Sequence, residues 1–242
     1  MKNKRKLKRL LWLLILIAIA LVPYYMNQES YSKENTKEEQ TKTVSYEKSN
    51  IPDYNGEYYI VLENNEPSFD ENLKNKNSFE EYSDLDNLGR CGKATANIGK
   101  DIMPTEKRGR IGMIKPSGWH TVRYDDLVEG KYLYNRCHLI GYQLTGENAN
   151  PKNLITCTRY MNTVGMLEFE NKVAEYVKST NNHVLYRVTP IFDNDNLLAK
   201  GVQMEGYSVE DEGKGIKFNV FVYNVQKGIV IDYKTGDSKR EE

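Results

Sequence analysis

Of the three histidines in this 242-residue chain, His138 has the most suggestive company. Arg136 stands two positions before it, Asn162 twenty-four after it, and Glu170 eight beyond Asn162. An imidazole titrates near neutrality and suits proton abstraction from water. An asparagine side-chain oxygen can seat magnesium, a hard cation that accepts few protein ligands and keeps several waters. Hydrolysis of a phosphodiester needs both parts: a base for the attacking water, and positive charge against the charge that builds on the phosphate and the leaving oxygen. Glu170 falls two helical turns beyond Asn162, on roughly the same helix face, where it could orient water around a metal. In a strand, Arg136 and His138 point the same way, so one phosphate could meet both. Taken singly, each residue has an ordinary reading: a packed strand histidine, a helix-capping asparagine, a solvated helix glutamate.

The elements that would position them can be read around these residues. Tyr132 to Ile140 is a strand or extended segment, and residues 141–152 form a polar loop. Leu154 to Cys157 is a second short strand. From Met161 to Lys178, Met166, Phe169, Val173 and Val177 recur at helical spacing. The order is strand, loop, strand, helix. Tyr58–Leu62, Val184–Ile191, Gly201–Val209 and Lys217–Val225 read as further strands, and Ile111–Val122 as short strands around turns. A short helix is expected near Phe79 within an otherwise irregular stretch from 68 to 90. Eighteen tyrosines and many Val/Ile/Tyr runs favour a sheet-rich α+β fold.

Asn135-Arg136-Cys137-His138-Leu139-Ile140-Gly141-Tyr142-Gln143-Leu144 resembles the Asp-Arg-Gly-His motif of the DNA/RNA non-specific endonucleases, the ββα-metal or His-metal finger nucleases. Asn150-Pro151-Lys152-Asn153-Leu154-Ile155 and Tyr160-Met161-Asn162 look like downstream segments of the Gram-positive DNA-uptake nucleases and secreted streptococcal-type DNases. The likeness spans about residues 51–238 and is most specific over 132–178. It implies an α+β fold with a central antiparallel sheet and a ββα-metal catalytic motif. His138 would be the water-activating base, Asn162 the sole protein ligand of hydrated Mg²⁺ (Mn²⁺ substituting), Glu170 the family's helix glutamate, and Arg136 the arginine near the scissile phosphate. Arg108 or Arg110 would match a second phosphate-binding arginine, and Gln143 and Asn153 lie in segments that shape the site. The resemblance further implies an endonuclease that is either sugar-non-specific, cutting DNA and RNA, or DNA-preferring, with little sequence preference, leaving 5′-phosphate ends. Asn135 and Cys137 depart from the motif's Asp and Gly. The first could change hydrogen bonding around His138; the second adds a side chain beside the base.

Composition bounds where such chemistry happens. Six basic residues between Lys2 and Arg9 precede an uncharged run from Leu10 to Met26. That is a signal anchor or a cleaved signal peptide over 1–26, and either one exports the remainder. Residues 27–50 read as a polar tether, leaving the catalytic domain over 51–242. Membrane attachment through the first segment and an extracellular catalytic domain are therefore expected, or secretion if the leader is removed. Removing the six leader charges leaves 28 basic against 34 acidic residues, a net charge of −6, so nucleic acid must be held by a local patch. Seven basic side chains between Lys93 and Arg123, opposed by Asp101 and Glu106, could supply it. Three cysteines, Cys91, Cys137 and Cys157, leave three pairings open; a Cys91–Cys137 bridge would brace the site. His120 and His183 read as structural. Two other functions stand beside the enzyme: a catalytically inactive nucleic-acid-binding surface receptor using the same groove, and an adhesin built on Tyr-rich strands.

Overall fold

A computed structural model describes residues 44–242. The expected leader and most of the tether lie outside these residues, and among the described residues no helix is long and apolar enough to cross a membrane. Eleven strands are present among them: β1 (Ser45–Tyr46), β2 (Tyr59–Leu62), β3 (Phe79–Tyr82), β4 (Ala94–Ile98), β5 (Tyr134–His138), β6 (Leu154–Thr158), β7 (Val184–Ile191), β8 (Gly201–Ser208), β9 (Lys217–Tyr223), β10 (Ile229–Ile231) and β11 (Ser238–Arg240). The α-helices are α1 (Tyr142–Thr145) and α2 (Leu167–Thr180), with a π-helical segment, Met161–Met166, leading into α2.

Seven strands form one sheet in the order β1-β2-β9-β8-β7-β4-β3. Only β1–β2 is parallel. The α+β fold with a central antiparallel sheet expected from sequence is thus present. Alternation along the strands divides the sheet into two unlike faces. One is apolar: Ala96, Tyr186, Met204 and Val220 pack in a single core with Phe169, Val173 and Val177 of α2. The other carries buried Asn97, Glu205 and Asn219. Buried polar groups need partners, and the segment 63–77 supplies them. Asn97 donates to the carbonyls of Asn75 (2.6 Å) and Asn77 (2.9 Å), Asn219 donates to that of Glu66 (2.8 Å), and Glu205 accepts from Ser68 N (2.9 Å). Arg187 adds a two-pronged pair to Glu205, at 2.7 Å for each bond.

Several local expectations are corrected. Phe79-Glu80-Glu81-Tyr82 is edge strand β3 and not a helix, because its backbone pairs with β4. The apolar pair spaced by three would fit one helical turn, but sheet pairing overrides it. β4 itself, Ala94-Thr95-Ala96-Asn97-Ile98, carries little strand propensity yet is buried throughout between β3 and β7. Residues 111–122 hold turns and no strand. The fold also begins before residue 51, since Ser45 and Tyr46 pair with Val61 and Leu62.

β5 and β6 stand apart as a two-stranded sheet. Together with the π-helical segment and α2 they make the ββα unit. A disulfide joins Cys137 of β5 to Cys157 of β6, so the bridge to Cys91 does not form; Cys91 is a buried free thiol.

Candidate active site

The hairpin brings its functional side chains to one pocket of about 270 Å³, lined by Arg108, Arg136, His138, Gly141, Tyr142, Gln143, Asn162, Leu167 and Glu170. That is many times the space one water needs, room for a phosphate with water around it. His138 is 6% exposed. Its ring has one assignable tautomer. Nε2 lies 2.8 Å from the Asn148 carbonyl oxygen, which can only accept, so Nε2 carries the hydrogen. Nδ1 lies 3.2 Å from Arg108 Nη2, which can only donate, so Nδ1 presents its lone pair. Burial lowers the His138 pKa to about 4; the neighbouring Arg108 charge lowers it further and the Asn148 carbonyl opposes both. The imidazole is therefore neutral at neutral pH, with its basic nitrogen turned to Arg108. Asn135 is not among its partners.

Arg136 lines the same pocket, as the two-residue strand spacing requires. Its guanidinium stacks 3.8 Å from the Trp119 ring centroid, and it donates to the carbonyls of Ile114 and, at 3.0 Å, Gly112. The turn-rich segment 112–119 thus aims this arginine, and part of its donor set is already used.

Asn162 sits in the π-helical segment and makes no side-chain hydrogen bond among the described residues. Such segments recur where a helix must re-aim a functional side chain. Gly165 within it lies so close to β9 that a Cβ would come 2.3 Å from a Val222 methyl. Glu170, on α2, enters from the same side. A Cβ on Gly141 would stand 2.6 Å from its Oε2, so the carboxylate rests in a cradle only glycine leaves open. Burial raises the Glu170 pKa to about 7, against the pull of Gln143 and of the Arg108 charge.

The donors fit a hard cation. An amide oxygen and a carboxylate face one cavity, and the nearby Cys137 and Cys157 offer no thiolate because they are bridged. No cluster of three or more His, Cys, Asp or Glu side chains suited to a metal occurs among the described residues. A cation held here would keep water in most of its positions, as magnesium does.

Not every expected residue reaches the pocket. Of the two candidate arginines, Arg108 lines it and Arg110 does not. Gln143 lines it, with its amide donating to Asn171 Oδ1 at 3.1 Å. Asn153 does not. It is wholly buried, accepting from Ile140 N (2.8 Å) and donating to Ile140 O (3.0 Å), so it ties the hairpin together, and its burial keeps it from substrate. Asn148, Gly141 and Leu167 were not singled out from sequence. Asn148 acts through its backbone carbonyl, which no residue type marks.

A family model described as DNA/RNA non-specific endonuclease matches residues 71–210, more than half of the chain. Among solved structures, the chain is similar to NucA from Streptococcus agalactiae, in structures with no metal and with magnesium ion bound. In both cases the identity is 27%, the TM-score 0.67, and the match covers 76% of this chain and 87% of that one. It is also similar to the Sda1 nuclease with bound zinc ion, at 30% identity and a TM-score of 0.57, covering 67% of this chain and 81% of that one.

Proposed function

The chain belongs to the DNA/RNA non-specific endonuclease family and is a nuclease, and we propose that it is a metal-dependent endonuclease acting outside the cell on DNA, with or without RNA as a second substrate, with His138 as its base. The observation that carries this reading is the placement of the imidazole, held by the Asn148 carbonyl at Nε2 and by Arg108 at Nδ1, in the pocket that Asn162 and Glu170 also line.

A phosphate entering the pocket meets Arg108 and Arg136 from two sides. Arg108 is exposed, and it exchanges its bond to Nδ1 for a stronger charge-assisted bond to the phosphate. Nδ1 is then free to take a proton from the attacking water. The Asn148 carbonyl, already bonded to Nε2–H, steadies the imidazolium that results. Departure of Arg108 also removes one of the two causes that hold the imidazole pKa down. Asn162 supplies the oxygen that would hold magnesium, with manganese as a substitute, and Glu170 orients water beside it. When bound, the cation would neutralise negative charge developing on the phosphate and on the leaving 3′ oxygen. Its partner in NucA is magnesium and in Sda1 zinc; the oxygen donors here favour magnesium. The 3′ oxygen leaves and the 5′ end keeps the phosphate. Contacts are to backbone phosphate, so sequence preference is weak.

The basic, then apolar, first 26 residues support export, with the domain either tethered to the membrane or released. Plasmid cleavage tests the whole reading. Wild type should nick and linearise supercoiled DNA with Mg²⁺ and stop in EDTA. His138→Ala should lose about 10²–10⁴-fold in rate, the usual contribution of a positioned base. Cleavage by His138→Ala at the wild-type rate would refute the assigned base.

A further inference from the structure

Residue 137 is one of the two positions at which the chain leaves the Asp-Arg-Gly-His pattern, and the structure gives this departure a covalent partner. Cys137 and Cys157 are both fully buried, with Cα atoms 5.9 Å apart across neighbouring strands. Their strand register is diagonal: Cys137 lies opposite Ile155, and Cys157 opposite Asn135. Strand alternation sends the Cys137 side chain into the core while His138, one residue on, faces the pocket. Cys157 lies five residues before Asn162.

We propose that the Cys137–Cys157 disulfide is a positioning device for catalysis, fixing the strand that carries His138 against the strand that launches Asn162. The inference rests on the nuclease reading above. Three observations support it. Among the described residues the hairpin is only two strands wide, and a two-stranded hairpin depends on packing and cross-links for its rigidity. The segment closed by the bridge contains His138, Gly141, Tyr142 and Gln143 of the pocket, together with Asn148, whose carbonyl holds the imidazole. Asn162 and Glu170 lie outside that segment, so the bridge joins the two halves of the site. The remaining thiol does not compete. Cys91 Sγ lies 3.2 Å from the carbonyl oxygens of both Pro151 and Leu154, between which its single S–H is shared, and burial pushes its pKa up to about 11. It is protonated at neutral pH, and the thiolate is the species that exchanges.

Dithiothreitol would pass two electrons and two protons to the bridge, giving thiols at Cys137 and Cys157 and leaving its own sulfurs as a cyclic disulfide. The full chain is compared oxidised, reduced, and as the Cys137→Ala/Cys157→Ala double variant. Thiol labelling with mass spectrometry counts the bridge, and circular dichroism confirms folding at the assay temperature. Expected is a drop in kcat of at least fivefold on reduction, with KM for DNA within twofold, and recovery on reoxidation. The double variant should show the same low kcat and no response to dithiothreitol. Unchanged kcat in folded, reduced protein overturns the proposal. So does a loss carried by KM, or unfolding of both the reduced protein and the double variant, which would make the bridge a stabiliser alone. If the oxidised wild type cleaves nothing with Mg²⁺ or Mn²⁺, the nuclease reading itself fails, a result distinct from the others.

Discussion

The seven-stranded sheet and the two-stranded hairpin solve opposite problems. The sheet buries apolar side chains on one face and, on the other, a two-pronged ion pair, Arg187–Glu205, whose carboxylate also accepts from Ser68. The ββα unit turns a basic nitrogen of its hairpin and the Asn162 amide of its π-helical segment to a cavity; Cys137, Leu139 and Ile155 anchor the hairpin in the shared core, and one disulfide and one asparagine closing on Ile140 tie its strands together. Stability is concentrated in the first region and chemistry in the second. Lone pairs kept available for substrate cannot also be spent on packing.

The comparison breaks if damage to the sheet disables catalysis directly. Phe221 is wholly buried in the small core on the polar face, with Ile60, Leu62 and Tyr223. Phe221→Ala should cost about 3–5 kcal/mol of stability, as large-to-small core changes do. At temperatures where the variant is still folded, its cleavage rate should remain within about threefold of wild type. Thermal melts paired with plasmid assays check both, and a folded but inactive variant would join the two regions into one.

His138 offers a test in which site and stability oppose each other. Its folded pKa, about 4, lies below the ordinary 6.5. The unfolded chain therefore binds a proton that the folded one refuses as pH falls through that window. Folding stability should decline from about pH 6.5 towards pH 4, by about 3 kcal/mol at most from this group. Glu170 works the other way. Its folded pKa of about 7 lies above the ordinary 4.5, so its contribution declines as pH rises from about 4.5 to 7. The two contributions offset each other in wild type between about pH 6.5 and 4.5, so urea midpoints of His138→Ala should rise relative to wild type as pH falls towards 4. Equal slopes would mean the imidazole is not held neutral by its burial.

What could be read from sequence follows the same division. The long strands β7, β8 and β9 were legible because eight or so alternating residues repeat one pattern, and α2 because Phe169, Val173 and Val177 keep helical spacing. β4 was not, since Ala94-Thr95-Ala96-Asn97 has neither the branched nor the aromatic residues of a typical strand; its neighbours hold it there. At the site, residues with distinctive chemistry, Arg136, His138, Asn162 and Glu170, converge on one pocket. Groups that act through shape or backbone left no trace in residue type: the Asn148 carbonyl, the space above Gly141, and the choice of Arg108 over Arg110. The cysteine pairing is a matter of strand register, which spacing alone does not fix.

Asn153 sharpens the comparison from inside the hairpin. If it is a clamp and not a substrate contact, Asn153→Ala should cost about 1–3 kcal/mol, because the Ile140 N–H and carbonyl are left buried without partners. Any fall in activity should appear in kcat, with KM for DNA unchanged. A raised KM alone would return Asn153 to the substrate-binding set.

The smallest expected change isolates the carboxylate. Gly141 has φ −58° and ψ 141°, angles open to any residue, so Gly141→Ala strains no backbone. Its methyl would nevertheless sit 2.6 Å from Oε2 and 2.8 Å from Cδ of Glu170, and the carboxylate must yield. Stability should shift by no more than about 1 kcal/mol, since Glu170 has open pocket on its other side. The rate should fall by roughly tenfold, about 1.4 kcal/mol of transition-state stabilisation, and the Mg²⁺ concentration for half-maximal activity should rise. Gly141→Ala with wild-type kinetics and metal demand would show that displacing this carboxylate is harmless, and Glu170 would then be a bystander in the pocket it lines.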